Sequence, residues 1–241
     1  MDLAEAYIAA AIAKKAGGSG SNQAVGMQDK TNPTGEIFNN YQKNVAPGNQ
    51  SHAEGSDTTA SGRRSHAEGY DTIASGPNAH SEGARTTASG DQSHAEGYDT
   101  IASGPNAHSE GASTTASGIS SHAEGTGTTA SGSQSHAEGG GTMASGDQSH
   151  AEGGGTMALK GCSHAEGIHT IAASSCQHVQ GRYNIEDSEG KFAYIIGNGT
   201  SDTERSNAFA IDWEGKIYIN NSSVGIDLNS LLARLEALEN K

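Results

Sequence analysis

From Ser51 to Gly181 small residues and longer polar ones alternate in a pattern whose phase never slips. Segments begin at Ser51, Ser65, Ala79, Ser93, Ala107, Ser121, Ser135, Ser149, Ser163 and Gln177, each fourteen residues after the last. A short fixed period of this kind is the mark of a solenoid, in which each unit buries its apolar face only against its neighbours. Every unit divides into two sevens, "SHAEGxx" and "TxASGxx", which predict two short strands of about five residues joined by two-residue corners.

Side chains on a strand alternate between faces. The first, third and fifth places of the first strand are small, apart from Gln177 and Val179 in the closing copy. With Thr, Ala and Gly of the second strand they are predicted to fill a thin interior. His and Glu at the second and fourth places then point outward, as do Ile73, Ile101, Met143 and Met157. Where the first place changes from Ser to Ala (Ala79, Ala107), the third changes from Ala to Ser (Ser81, Ser109), an exchange that conserves volume in a tight core. Glycine at the fifth and twelfth places suits a corner that needs positive φ or close backbone approach. Pro77 and Pro105 fall in corners, where a missing N–H does no harm.

The flanks have different periods. Residues 1–16 predict a helix, with Asp2 as cap, Leu3, Tyr7, Ile8, Ala11 and Ile12 on one side, and Lys14, Lys15 and Gly17 at its end. Residues 17–50 read as linker and lead-in, and 51–181 as the repeat. The segment 182–223 predicts a small β-domain of three strands, "KFAYIIG", "AFAIDWEG" and "KIYI", whose aromatics Phe192, Tyr194, Phe209, Trp213 and Tyr218 are expected to form its core. In 224–241, Leu228, Leu231, Leu235 and Leu238 are spaced as a short a/d seam, a coiled-coil stem.

Composition explains why such a repeat should not stand alone. Only 32% of the chain is hydrophobic and 34 residues are glycine. From Ser51 to Cys176 the Val/Ile/Leu/Met/Phe/Trp set numbers eight, too few for a compact monomeric core, so the outer faces are expected to find partners. The formal charge of −14 opposes binding to nucleic acid or an anionic membrane, and no run is long enough to insert in a bilayer.

Fourteen-residue units of the form "SxAxGxxTxAxGxx" resemble the head repeats of YadA-like trimeric adhesins. The resemblance covers Ser51 to Cys176 and implies an all-β fold, a left-handed parallel β-roll associating as a homotrimer. The His-Ala-Glu-Gly version, its lead-in "TGEIFNNYQKNVAPGNQ" and the later "GNGTSDTERSNAFAIDWEGKIYI" are similar to tail-fibre and baseplate proteins of phages and prophages of Gram-positive bacteria. An autotransporter adhesin would carry a signal peptide and a membrane-anchor barrel, and neither pattern is read here. The expectation is therefore a structural fibre segment of a virion tail or phage-like particle, with other tail or baseplate proteins as partners. Two alternatives stay open: a carbohydrate-binding module for a host cell-surface glycan, and a bacterial adhesin head at the cell surface.

The candidate site is the repeated pair itself: His52 and Glu54, His66 and Glu68, His80 and Glu82, His94 and Glu96, His108 and Glu110, His122 and Glu124, His136 and Glu138, His150 and Glu152, His164 and Glu166. Stacked ~4.8 Å apart, bare glutamates would repel by roughly 3–4 kcal/mol per neighbour at a dielectric near 20. The histidines on the same face can donate to them, and the expectation is a seam between subunits, against the plainer reading of a solvated face. Metal binding is a sharper alternative, but repeated equivalent sites without converging elements argue for no metal and no cofactor. Ser, His and Glu recur without a pocket, so no catalytic residues and no enzyme are expected. The stacked Thr58, Thr72, Thr86 and Thr100 should lie inside rather than form an ice-binding ladder. Cys162 and Cys176, one coil apart in the same corner, are near enough for a disulfide or are two reduced thiols.

Overall fold

The structure, a computed structural model, describes residues 27–28, 36–38, 44–220 and 228–240. The expected N-terminal helix and glycine-rich linker lie outside the described residues.

The repeat forms a β-solenoid of two parallel sheets. Long strands, His52–Ser56, His66–Tyr70 and onward to His178–Arg182, stack in one sheet, while two-residue strands from Thr59–Ala60 to Ile171–Ala172 stack in the other. Pairing is in register: His52 meets His66, Ala53 meets Ala67 and Glu54 meets Glu68, and the same holds along the rod. Identical residues therefore form columns.

The second strand of each coil is shorter than the sequence predicts, because both corners pass through left-handed backbone. The seventh place of the coil (Asp57, φ 59°; Asp71, 54°) and its fourteenth (Arg64, 58°; Asn78, 56°) have positive φ. Glycine takes the seventh place in three coils (Gly127, φ 66°; Gly141, 65°; Gly155, 64°) and serves at other places too. Gly55 has φ 109° and no room for a side chain, since a Cβ there would stand 2.0 Å from the Gly69 carbonyl oxygen. Gly118 has ordinary φ, but a Cβ would stand equally close to the Gly132 carbonyl oxygen, at 2.0 Å.

The interior is as thin as expected. Ala53, Ala60, Thr58 and their counterparts are almost entirely buried, which removes the threonine column from solvent and with it the ice-binding reading. The Ser/Ala exchange turns out to conserve hydrogen bonds as well as volume. Ser65 Oγ donates to the Gly62 carbonyl at 2.8 Å. In the exchanged coils Ser81 and Ser109 instead bond Thr86 and Thr114, each at 2.7 Å. In coils with Ala at the third place, Thr58, Thr72, Thr100, Thr128 and Thr142 Oγ1 have no partner among the described residues.

Buried amides finish the small sheet at both ends, where an open edge would leave backbone groups unsatisfied. Asn44 Oδ1 accepts from Thr58 N at 3.0 Å. Asn184 Oδ1 accepts from Ile171 N at 2.7 Å while its Nδ2 donates to Ile171 O at 3.0 Å.

Beyond the last coil the large sheet continues without a break. Phe192–Asn198 adds in parallel to His178–Arg182, then Asn207–Asp212 and Ile217–Ile219 add antiparallel. The three predicted strands are thus present, as an extension of the roll's own sheet. A helix spans Leu228–Glu239. Among the described residues no helix is long and apolar enough to cross a membrane.

Candidate functional site

Strand alternation sets the His and Glu columns side by side on the outer face of the large sheet. From His66 to His178 successive imidazoles stack at 4.6–4.9 Å with nearly parallel rings, and only His52 meets its neighbour edge-on. Each glutamate stands beside this stack. His66 Nε2 lies 3.5 Å from Glu68 and His94 Nε2 3.6 Å from Glu96. In the middle of the rod a ring sits between two carboxylates: His122 Nε2 is 3.9 Å from Glu124 and 4.0 Å from Glu110 of the preceding coil. Further on the contact has passed to the preceding coil, as in His164 to Glu152 at 3.4 Å.

These distances are ion-pair distances, mostly too long for hydrogen bonds. The Nε2 atoms of His66, His80, His94, His108, His122, His136, His150, His164 and His178 are shielded from solvent yet have no hydrogen-bond partner among the described residues. Burial pushes His66, His80, His108, His122 and His150 below the usual imidazole value, with neighbouring imidazoles adding to the effect for each. A neutral ring is the state these five favour.

Neighbouring glutamates in the middle of the ladder shift one another in opposite directions. Hydrogen bonding with Glu124, then Glu96, pushes Glu110 up, and bonding with Glu124 and Glu152 pushes Glu138 up to about 7. Accepting those bonds, first from Glu138, holds Glu124 and Glu152 down. Raised and lowered carboxyls thus alternate along this part of the ladder. Beside it, over the glycine column, runs an open groove of about 1080 Å³, lined from Glu82 to Gln180 and ending on Ile196.

Groups such as His94, Glu96 and His108 place their ligand atoms within 4.8 Å of one another. That spacing does not suit one ion, because two donors at ~2.1 Å from zinc are at most ~4.2 Å apart, while successive rings stand 4.9 Å apart. Divalent ions on successive coils would also repel by about 14 kcal/mol at a dielectric of 20.

Cys162 and Cys176 are exposed and unbonded; the Cys162 thiol is directed at Gln148 Oε1, 3.3 Å away on the preceding coil, rather than at Cys176. Leu228 begins the terminal helix, and Leu231, Leu235 and Leu238 are 46%, 50% and 66% exposed. Tyr70 and Tyr98 stand out at corners, with Arg85 donating to the Tyr98 hydroxyl at 3.1 Å.

The expected aromatic core needs correction. Tyr218 is buried and Phe192 packs edge-on against it at 5.1 Å, but Trp213 is exposed and donates Nε1 to the Gly190 carbonyl. Tyr194 and Phe209 lie on the other face of the sheet, because alternation puts Ile195 and Ala210 inside instead. Register carries this information, and a tally of aromatics does not.

Two in-register parallel sheets closed over an interior of Ala, Ser and Thr define a β-solenoid. Five stretches, residues 53–79, 67–93, 81–107, 109–135 and 137–159, match the YadA head domain repeat and together span somewhat under half of the chain. Comparison with curated proteins finds no match. These stretches are similar to YadA head repeats, as the resemblance implied; the tail-fibre and Gram-positive part of that expectation has no counterpart in the match.

Proposed function

We propose that the chain is the head of a homotrimeric adhesin displayed at a bacterial surface, with its His/Glu face turned toward the other two copies. The match to head repeats supports the adhesin part and the number three. It favours the cell surface over a virion tail, and attachment without tail or baseplate partners. The observation that carries the seam is the row of solvent-shielded histidine Nε2 atoms without partners, repeated coil after coil on an outward face. The rings and the carboxylates beside them stay about one-third exposed, and a facing copy would cover them and add partners. Attachment runs through the corners, where Tyr70 and Tyr98 offer exposed aromatic faces to a host-surface glycan.

Light scattering of the full chain tests the assembly: three chains are expected, and a folded single chain at micromolar concentration sinks the proposal. Binding to immobilised glycans, lost in Tyr70→Ala/Tyr98→Ala, tests the attachment; equal binding by the variant removes the tyrosines from it.

A further inference from the structure

The His and Glu columns do not stop at the last histidine. His178 is paired with Tyr194, Tyr194 with Ile211, and Ile211 with Ile217. In the neighbouring column Gln180 is paired with Ile196, Ile196 with Phe209, and Phe209 with Ile219. Directly paired residues share a face, so the polar columns run straight into a block of six large apolar side chains. The opposite face of the same strands is already satisfied: Val179, Ile195, Ala210 and Tyr218 are buried within the chain. The outward six are half-buried to exposed, Ile219 at 42%. The seam is marked at its boundary by His178 and Tyr194, whose rings meet edge-on at 5.2 Å.

We infer that Tyr194, Ile196, Phe209, Ile211, Ile217 and Ile219 form an apolar clasp that packs against the same strands of other copies and carries much of the cohesion of the assembly. This rests on the seam proposed above and adds a chemically different segment to it. Three features identify the occupant as further copies of this chain. First, the sheet is continuous from the roll through the clasp strands, so a body lying along the His/Glu face also lies along the clasp. Second, the groove beside the glutamates ends on Ile196; it crosses nine strands from Glu82, about 38 Å at ~4.8 Å per step, a length that another rod of this kind matches. Third, the helix that follows exposes Leu231, Leu235 and Leu238, the seam of a coiled coil that only further copies complete. Charge sharing along the roll brings specificity and register, whereas burial of aromatic and branched side chains, at about 25 cal/mol per Å², brings affinity.

The test is native mass spectrometry and light scattering of the full chain at pH 7 across a dilution series. It compares wild type with Phe209→Ser and with Ile219→Asp, the latter on the outermost strand where folding of the roll is least affected. Circular dichroism reports the roll in each. Wild type is expected to remain assembled, and both variants to come apart at concentrations at least tenfold higher while keeping the wild-type spectrum. Variants with unchanged dissociation beside an assembled wild type overturn the clasp and leave the seam standing. A wild type that runs as one folded chain overturns both, the patch then being covered by the chain's own Leu228–Glu239 helix or by a different protein.

Discussion

Replacing Glu138 by Gln asks whether the glutamate ladder is held by shared protons. Glu138 stands between Glu124 and Glu152, and those contacts raise its carboxyl to about 7, against an ordinary value of 4.5. A carboxyl raised on folding contributes its full stabilisation below the unfolded value and loses it as pH climbs through the folded one. At pH 8, then, Glu138 is charged beside two charged neighbours. At the 4.8 Å coil spacing each neighbour repels it by about 3.5 kcal/mol at a dielectric of 20. The carboxylate is 32% exposed, so water and salt reduce the sum of the two to about 1–2 kcal/mol. Glutamine keeps a donor and an acceptor in place and cannot ionise. At pH 8 and low salt the variant should melt roughly 2–6 °C above wild type for a chain of this size, and the gap should shrink in 0.5 M salt. At pH 5 the two should melt together, because wild-type Glu138 is then protonated. Glu124→Gln supplies the contrast: its carboxyl is held down first by the bond from Glu138, so the variant should lose stability at pH 5 and 6, where Glu138 keeps its proton, and not at pH 8. Calorimetry at pH 5, 6, 7 and 8 reads all of this. Equal offsets at pH 5 and 8 for Glu138→Gln, or no loss for Glu124→Gln at pH 5 and 6, would refute proton sharing.

The histidine column makes the opposite limb. His122 is held below its ordinary 6.5, so stability should fall as pH drops below about 6.5, and His122→Gln should flatten that fall in melts at pH 5 and 7. Gly118→Ala would drive a methyl to 2.0 Å from the Gly132 carbonyl, whereas a methyl at Gly140 meets nothing within 4 Å; the first should cost about 3 kcal/mol or more and the second about nothing, by chemical denaturation. Ser109→Ala strips Thr114 Oγ1 of its 2.7 Å partner and should cost about 1 kcal/mol, read the same way. Ellman's reagent should titrate both Cys162 and Cys176 in the native, unreduced protein, since both are exposed and unbonded; an absence of free thiol would mean a bridge.

Much of this architecture could be read from periodicity alone. Because the unit is fourteen residues and every side chain repeats, the faces, the interior and the outward His/Glu pairs follow from alternation in a single copy, and Thr58 and Ala60 lie where that alternation puts them. What could not be read was any feature set by backbone conformation or by register across a break in the repeat. The left-handed corners at Asp57 and Arg64 carry no glycine themselves, and only Gly127, Gly141 and Gly155 at the seventh place of later coils hint at one of them. Asn184 acts as a cap only because the missing next coil leaves Ile171 without a partner. The clasp stayed hidden for a similar reason: Tyr194 and Phe209 look like core residues until pairing with His178 and Ile196 shows which side of the sheet they occupy.

The asparagines at the two ends have a bearing on how such a rod changes length. Asn44, next to the Val45 bridge to Thr59, and Asn184 bond Thr58 N and Ile171 N at the two ends of the small sheet, and the strands between them pair with their neighbours. A fourteen-residue block can therefore be duplicated or deleted between the caps with no new junction to solve. Reach becomes adjustable in increments of one coil, independently of the chemistry at either tip.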